Sequence, residues 1–435
     1  VVEPGAVTGG RGEPRTIADV DVFAPETIEN WYPTYDLLRQ ERPVYHVPGT
    51  RTYFVTRYDD ILQILRRTDV FRRGDGGSRP LLRDAEASGY YAEHGWPKRL
   101  PLAIDPPDHR RYRDMVDHFF NPAGAERRRD LITGIAEELL DEMAPAAGTG
   151  EAVDFMAAFA VPLPVRVITE MIGFPADDIP RLKTWSEAWV APFSLQLDAE
   201  QEREVARLSV EFQHYIAEQI AVKRADPGDD VISHLATTPV ELTGENRMLT
   251  DGEIINMVDH LYIGGNETTT FALTSGMWLL IRHSEIQAEL RADPERARVW
   301  VDEVLRLESP TQGMDRHTAV DVDLGGVTIP AGSHVHIRYA AANRDPDQFP
   351  HPADVDLDRA NGHRHLAFSL GETHCPGAGL SRLEQTIATQ LLLDRFQDFA
   401  LAGPPAGAAP GELHHHVNFT LRAFTGLPIT FDRRA

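Results

Sequence analysis

The chain is almost without cysteine: of its 435 residues, Cys375 alone carries a thiol. No internal disulfide can form, which suits a reducing, cytoplasmic compartment. There is no run of about 18 apolar residues, so no membrane-spanning helix is expected. The opening stretch, Val1 to Pro14, is rich in glycine, proline and charge and lacks the apolar segment of a signal peptide. Residues 1–18 read as a disordered lead-in and 19–435 as one domain, because no Gly/Ser-rich or charged linker divides the middle. Basic residues are in deficit: 43 Lys and Arg face 67 Asp and Glu, a net charge of −24. Such a chain is a poor partner for nucleic acid or an anionic membrane. A flavin- or nicotinamide-binding fingerprint is also missing, since Gly9-Gly10-x-Gly12 follows no strand. His414 to His416 are three adjacent histidines, which cannot face one ion from a strand and read as a turn.

What is present is helix. Hydrophobic residues at 42% and charged residues at 25% allow a large core. Helical periodicity marks 33–40, 58–66, 109–120, 126–143, 163–172 and 199–224, with an irregular, mobile loop over 72–83. The longest helix starts at Thr250, which has capping-box spacing to Glu253, and runs to about Arg282, roughly 48 Å. Another opens with Asp293 as cap and Pro294 at its first position, and stops before Pro310. Strands are expected at 53–56, 318–323, 327–329, 334–337, 419–421 and 428–431. The fold class is mainly α with small β-sheets in a single monomeric domain.

Cys375 stands in Phe368-Ser-Leu-Gly371-Glu-Thr-His-Cys375-Pro-Gly377. The flanking glycines let a flat macrocycle approach the backbone. An amphipathic helix follows over 380–396, and its N-terminal dipole favours a thiolate. Phe-x-x-Gly-x-x-x-Cys-x-Gly resembles the haem-binding signature of cytochromes P-450. That resemblance implies Cys375 as the thiolate ligand of haem iron, with Phe368, Gly371 and Gly377 around the cofactor. Two positions depart from the commonest pattern: Ser369 where glycine usually stands, and Thr373 where His or Arg usually reaches a propionate.

Three further motifs extend the likeness. Glu303 and Arg306 share a helix face, and with Arg359 in the later stretch they resemble the family's buried Glu-x-x-Arg pair, a structural element. Gly264-Gly265-Asn266-Glu267-Thr268 resembles the family's Ala/Gly-Gly-x-Asp/Glu-Thr oxygen-activation motif. The glycines leave room over the iron, and Glu267 with Thr268 orders water and delivers protons. Asp105-Pro106-Pro107-Asp108-His109, then Arg113, resembles the family's propionate-binding element, and Arg316 matches its arginine on a strand beside the haem.

The resemblance implies a bacterial-type, cytoplasmic haem b monooxygenase. It would insert one atom of O2 into a small lipophilic substrate with electrons from a ferredoxin and its reductase. A peroxide-dependent enzyme and a gas-binding protein are the alternatives, and the acid–alcohol pair weighs against both. Substrate contacts are expected at His260, Ile263, Gly264, Gln312 and Met314, with loops 71–102 and 185–197 and the turn near Asn418 as walls. Arg110, Arg111, Arg364 and Arg382 are expected to form a basic patch that docks an acidic partner.

Overall fold

The computed structural model describes residues 14–77, 82–194, 196–242, 244–403 and 413–434. Its axis is the helix Asp251–Arg282. Thr250 caps it: the Thr250 hydroxyl accepts from the Glu253 backbone N–H, and the Glu253 carboxylate accepts from the Thr250 N–H at 2.8 Å. Arg247 and the Tyr112 hydroxyl bind the same carboxylate at 2.7 and 2.6 Å. Burial pushes the Glu253 pKa up, but these donors override it and hold it at about 2. The helix is apolar on most sides because neighbours surround it. Pro162–Ile172, Ala199–Ala225, Ala297–Leu307 and Ala378–Arg395 all pack against it in one continuous core.

The sheets lie to one side. A five-stranded sheet runs in the order Val44–His46, Thr52–Val55, His334–Ile337, Met314–Thr318, Phe71–Arg72. Phe71 pairs with Thr318 and Arg72 with His317, so the edge strand delivers the chain to Arg73 beside the strand that carries Arg316. The Asp105 carboxylate then accepts from the backbone N–H groups of Arg73 and Gly74, at 2.8 and 3.2 Å. Three segments distant in sequence are thereby fastened together.

Several expectations need correction. Within the expected disordered lead-in 1–18, Ile17 is ordered: Ile17–Asp19 forms a short 3-10 turn and Ile17 packs on a core cluster, while residues 1–13 lie outside the described set. Within the expected loop 72–83, Asp75–Gly77 pairs with Arg99–Ile104 as a strand; residues 78–81 lie outside the described set. The expected strand 318–323 is two strands, Met314–Thr318 and Val322–Leu324. Its apparent alternation spans the bend at Ala319 and Val320, where Ala319 bonds back to Val70. No strand covers 419–421, where Leu421 makes only an isolated bridge to Thr311.

Candidate haem site

Cys375 sits at the N-terminus of Ala378–Arg395, and its own N–H donates to the Phe368 carbonyl at 2.9 Å. That bond folds the loop back on itself. Gly371 has φ +66° and Ser369 φ +58°, both in the left-handed region, which explains why glycine is the common choice after the phenylalanine. Here the Ser369 hydroxyl has partners of its own: the Tyr339 hydroxyl at 3.0 Å and the Thr373 hydroxyl at 2.9 Å. Thr373 in turn accepts from Arg316 at 3.3 Å. The two departures from the family pattern are thus in contact, joined in one chain from Tyr339 to Arg316.

Burial pushes the Cys375 thiol up, while the N–H groups of Gly377 and Ala378 and the charges of Arg113 and Arg382 pull the other way. Bound iron would decide the balance, because a coordinating cation deprotonates a thiol.

Above Cys375 lies a cavity of about 1280 Å³ of empty space, part of it open to solvent. Cys375, Phe368 and Gly377 line one side, and Gly264, Gly265 and Thr268 of the long helix line another. The two glycines differ. A Cβ on Gly264 would meet nothing within 4 Å, whereas one on Gly265 would meet Ile168 Cδ1 at 2.9 Å. Gly264 therefore opens the cavity, and Gly265 lets Pro162–Ile172 approach the helix. The Thr268 hydroxyl donates to the Gly264 carbonyl at 2.9 Å and keeps its lone pairs free to accept. Glu267 does not border the cavity. Its carboxylate is buried behind the helix, bonded to Lys183 and Ser186, both at 2.7 Å.

At the rim stand Arg73, Arg113 and Arg316, with His109 buried behind them at 3% exposure. The His109 Nε2 has no hydrogen-bond partner among the described residues. Burial first, then Arg73 and Arg113, lower its pKa to about 4, so it is a neutral imidazole. A buried orphan nitrogen beside guanidinium groups fits the acidic edge of a haem. Arg113 also donates to the His374 carbonyl at 2.7 Å, which ties the cation set to the cysteine loop.

His260 lines the cavity, and its Nδ1 has no partner among the described residues, so it is not satisfied by backbone or a neighbouring helix. Burial lowers its pKa to about 4. Met314 also lines the cavity. Ile263 and Gln312 do not. Ile263 is buried in the main core, and Gln312 accepts from the Tyr35 hydroxyl at 3.1 Å and donates to the Ser309 carbonyl at 2.7 Å. Of the expected wall loops only Arg73 and Leu102 contribute; Pro310 and Thr311 take the place given to 185–197 and Asn418.

Glu303, Arg306 and Arg359 form a buried network rather than an exposed pair. Both Glu303–Arg306 contacts are 2.7 Å, Arg359 reaches Glu303 at 3.1 Å, and Glu303 and Arg306 are 1% and 0% exposed. The expected basic patch is diluted, because Arg110 pairs with Asp114 at 2.7 Å and Arg111 approaches Glu241 at 3.8 Å. Motif reading missed Arg73, Tyr339 and the Thr269–Ser381 hydroxyl contact at 3.1 Å that joins the long helix to the cysteine helix. Of these, only the burial-compatible spacing of Thr269 on its helix was visible in sequence.

A lone, half-buried thiol at a helix N-terminus, facing a slot walled by glycine and rimmed by cations, is the arrangement of a haem-thiolate protein. The cytochrome P-450 family model matches residues 45–299 and 297–400. The chain belongs to that family, and it is a bacterial-type monooxygenase that uses haem iron, O2 and external redox partners. It is 34% identical over 421 residues to the cytochrome P-450 monooxygenase PikC of Streptomyces venezuelae, covering 96% of this chain and 95% of PikC. It is 33% identical over 427 residues to the polyketide biosynthesis cytochrome P-450 PksS of Bacillus subtilis, covering 95% and 99%. The structure of P-450 BioI with a hexadecenoic-acid-ligated acyl carrier protein is similar at TM-score 0.81 and 29% identity, covering 94% and 99%. Among the described residues no helix is long and apolar enough to cross a membrane.

Proposed function

We propose that this chain is a monomeric, cytoplasmic haem b monooxygenase that oxidises a lipophilic metabolite of polyketide, terpenoid, steroid or aromatic type. The observation that carries this is the Cys375 thiol in the wall of a cavity opposite Gly264 and Thr268. Bound haem iron supplies dioxygen activation and the transfer of one oxygen atom, with two electrons from a ferredoxin-type partner and its reductase. Cys375 holds the iron; His109, Arg113 and Arg316 hold the propionates; Phe368, Gly371 and Gly377 shape the loop. Gly264 leaves space for dioxygen. Thr268 holds a water by its lone pairs and positions it to deliver a proton, whereas Glu267, turned away to Lys183 and Ser186, serves the helix from behind. His260 and Met314 meet the substrate. The relative PksS supports the metabolite class, since it is named for polyketide biosynthesis.

The test has two readings. Reduced protein under carbon monoxide should show the strongly red-shifted Soret band of a thiolate-bound haem, and Cys375→Ser should lose it. With surrogate ferredoxin and reductase, Thr268→Ala should form less product per NADPH consumed while binding substrate normally. A Cys375→Ser protein that keeps the band overturns the ligand assignment.

A further inference from the structure

Arg73 stands out among the cavity residues, because motif reading gave it no task and its side chain has no partner among the described residues. The edge strand Phe71–Arg72 and the Asp105 carboxylate fix its backbone, at 2.8 Å from the Arg73 N–H. Among the described residues its guanidinium makes no hydrogen bond or ion pair, yet it lines the same cavity as Arg113, Arg316 and Cys375. Three guanidinium groups converging on one cavity repel one another, and a cation is rarely buried without a counter-charge. Arg113 already shares Asp117 at 2.7 Å, whereas neither Arg73 nor Arg316 has a carboxylate within ion-pair distance among the described residues. Burial, followed by Arg316, lowers the Arg73 pKa to about 10, so it stays charged at neutral pH. The Asp105 carboxylate lies close but is engaged by two backbone N–H groups. The other titratable groups facing Arg73 offer it no negative charge: the Tyr339 hydroxyl is turned to Ser369, and burial keeps His109 and His260 neutral.

The cysteine loop, meanwhile, lacks a cation. Thr373 occupies the place where the family's pattern has His or Arg, and its hydroxyl is held by Arg316, Ser369 and the Leu370 carbonyl. We infer that Arg73 is a haem-propionate ligand of this chain, supplying from the sheet edge the positive charge that its cysteine loop lacks at Thr373. The inference rests on the haem reading above. It adds a residue outside the motifs and gives a reason why Thr373 is tolerated.

The experiment is haem transfer from the purified holoprotein to excess apomyoglobin, followed at the Soret band, with the midpoint potential of the substrate-free protein measured alongside. Arg73→Gln should release haem about ten- to a hundredfold faster, the factor expected for a lost hydrogen bond to a charged group. Its potential should fall, since removing a cation favours ferric iron. Arg73→Lys should retain most of the wild-type behaviour, and Thr373→His in the Arg73→Gln chain should restore retention. Arg73→Met, which keeps the apolar stem, serves if the glutamine variant does not fold. Unchanged haem release and potential in a folded Arg73 variant, with weaker binding of hexadecanoate, would make Arg73 a substrate anchor and overturn the inference. Absence of the red-shifted carbon monoxide band in the wild-type protein would instead defeat the haem reading itself.

Discussion

Alanine substituted separately at the adjacent glycines of the long helix should move stability in opposite directions. Alanine is favoured over glycine in a helix interior by about 0.8–1 kcal/mol. At Gly264 a new Cβ meets nothing within 4 Å, so Gly264→Ala should gain roughly that amount. The family's pattern accepts alanine at this position, so the methyl is compatible with bound haem. At Gly265 the Cβ would lie 2.9 Å from Ile168 Cδ1 and 3.0 Å from Cγ1, and Ile168 is 1% exposed. Overpacking of that kind costs about 1–3 kcal/mol, which leaves Gly265→Ala between about 0 and 2 kcal/mol less stable. The two variants should therefore differ by about 1–3 kcal/mol in urea unfolding of the haem-loaded protein followed by circular dichroism. Ile168→Val removes the nearest atom and should recover part of the Gly265→Ala loss in the double variant, a coupling of about 1 kcal/mol. Equal shifts for the two alanine variants, or no coupling to Ile168, would refute the division of labour between the glycines.

Glu303→Ala should leave Arg306 and Arg359 buried without their carboxylate and destabilise the fold by about 3–5 kcal/mol, read as a lower urea midpoint and poor haem loading. Glu253 has a folded pKa near 2, below its value of 4.5 in the unfolded chain, so its stabilisation is complete above pH 4.5 and is lost as pH falls toward 2. Glu253→Gln should therefore flatten the acid limb of a stability profile taken from pH 5 to pH 3, and an unchanged slope would show that its partners do not hold the carboxylate. His260→Phe removes a buried unpaired nitrogen and should hold or raise the melting temperature. It should weaken spectral binding only of substrates with a hydrogen-bonding group at that wall, and equal loss for purely hydrocarbon ligands would sink the assignment.

How much was legible in sequence depended on whether a feature was local. The start of the long helix follows from Thr250 and Glu253 alone, three residues apart, and the observed helix begins where they place it. The strand at 334–337 and the helix at 58–66 were legible for the same reason. The cysteine loop declared itself in part through Gly371, whose positive φ the structure displays. Illegible were side chains whose direction is set from far away. Ile263 neighbours Gly264, but one helical step turns it about 100° into the core. Gln312 is taken by Tyr35, 277 positions distant. Arg73 stands in an arginine-rich stretch with no motif, and only the pairing of Phe71 with Thr318 reveals where it points.

The Arg306 and Arg359 network has one more property, visible in what it grips. Arg306 donates to the main-chain carbonyls of Asn343, Pro352 and Asp354, and Arg359 to those of Pro350, His351 and Asp354. None of these contacts reads a side chain of the segment it fastens. The path of residues 350–354 toward Cys375 is therefore fixed independently of what decorates it, apart from the demands of proline and backbone conformation. An outward-facing position there with ordinary backbone, such as Ala353, can be rewritten, for a label or for a new partner's surface, while the iron-binding thiol stays in register.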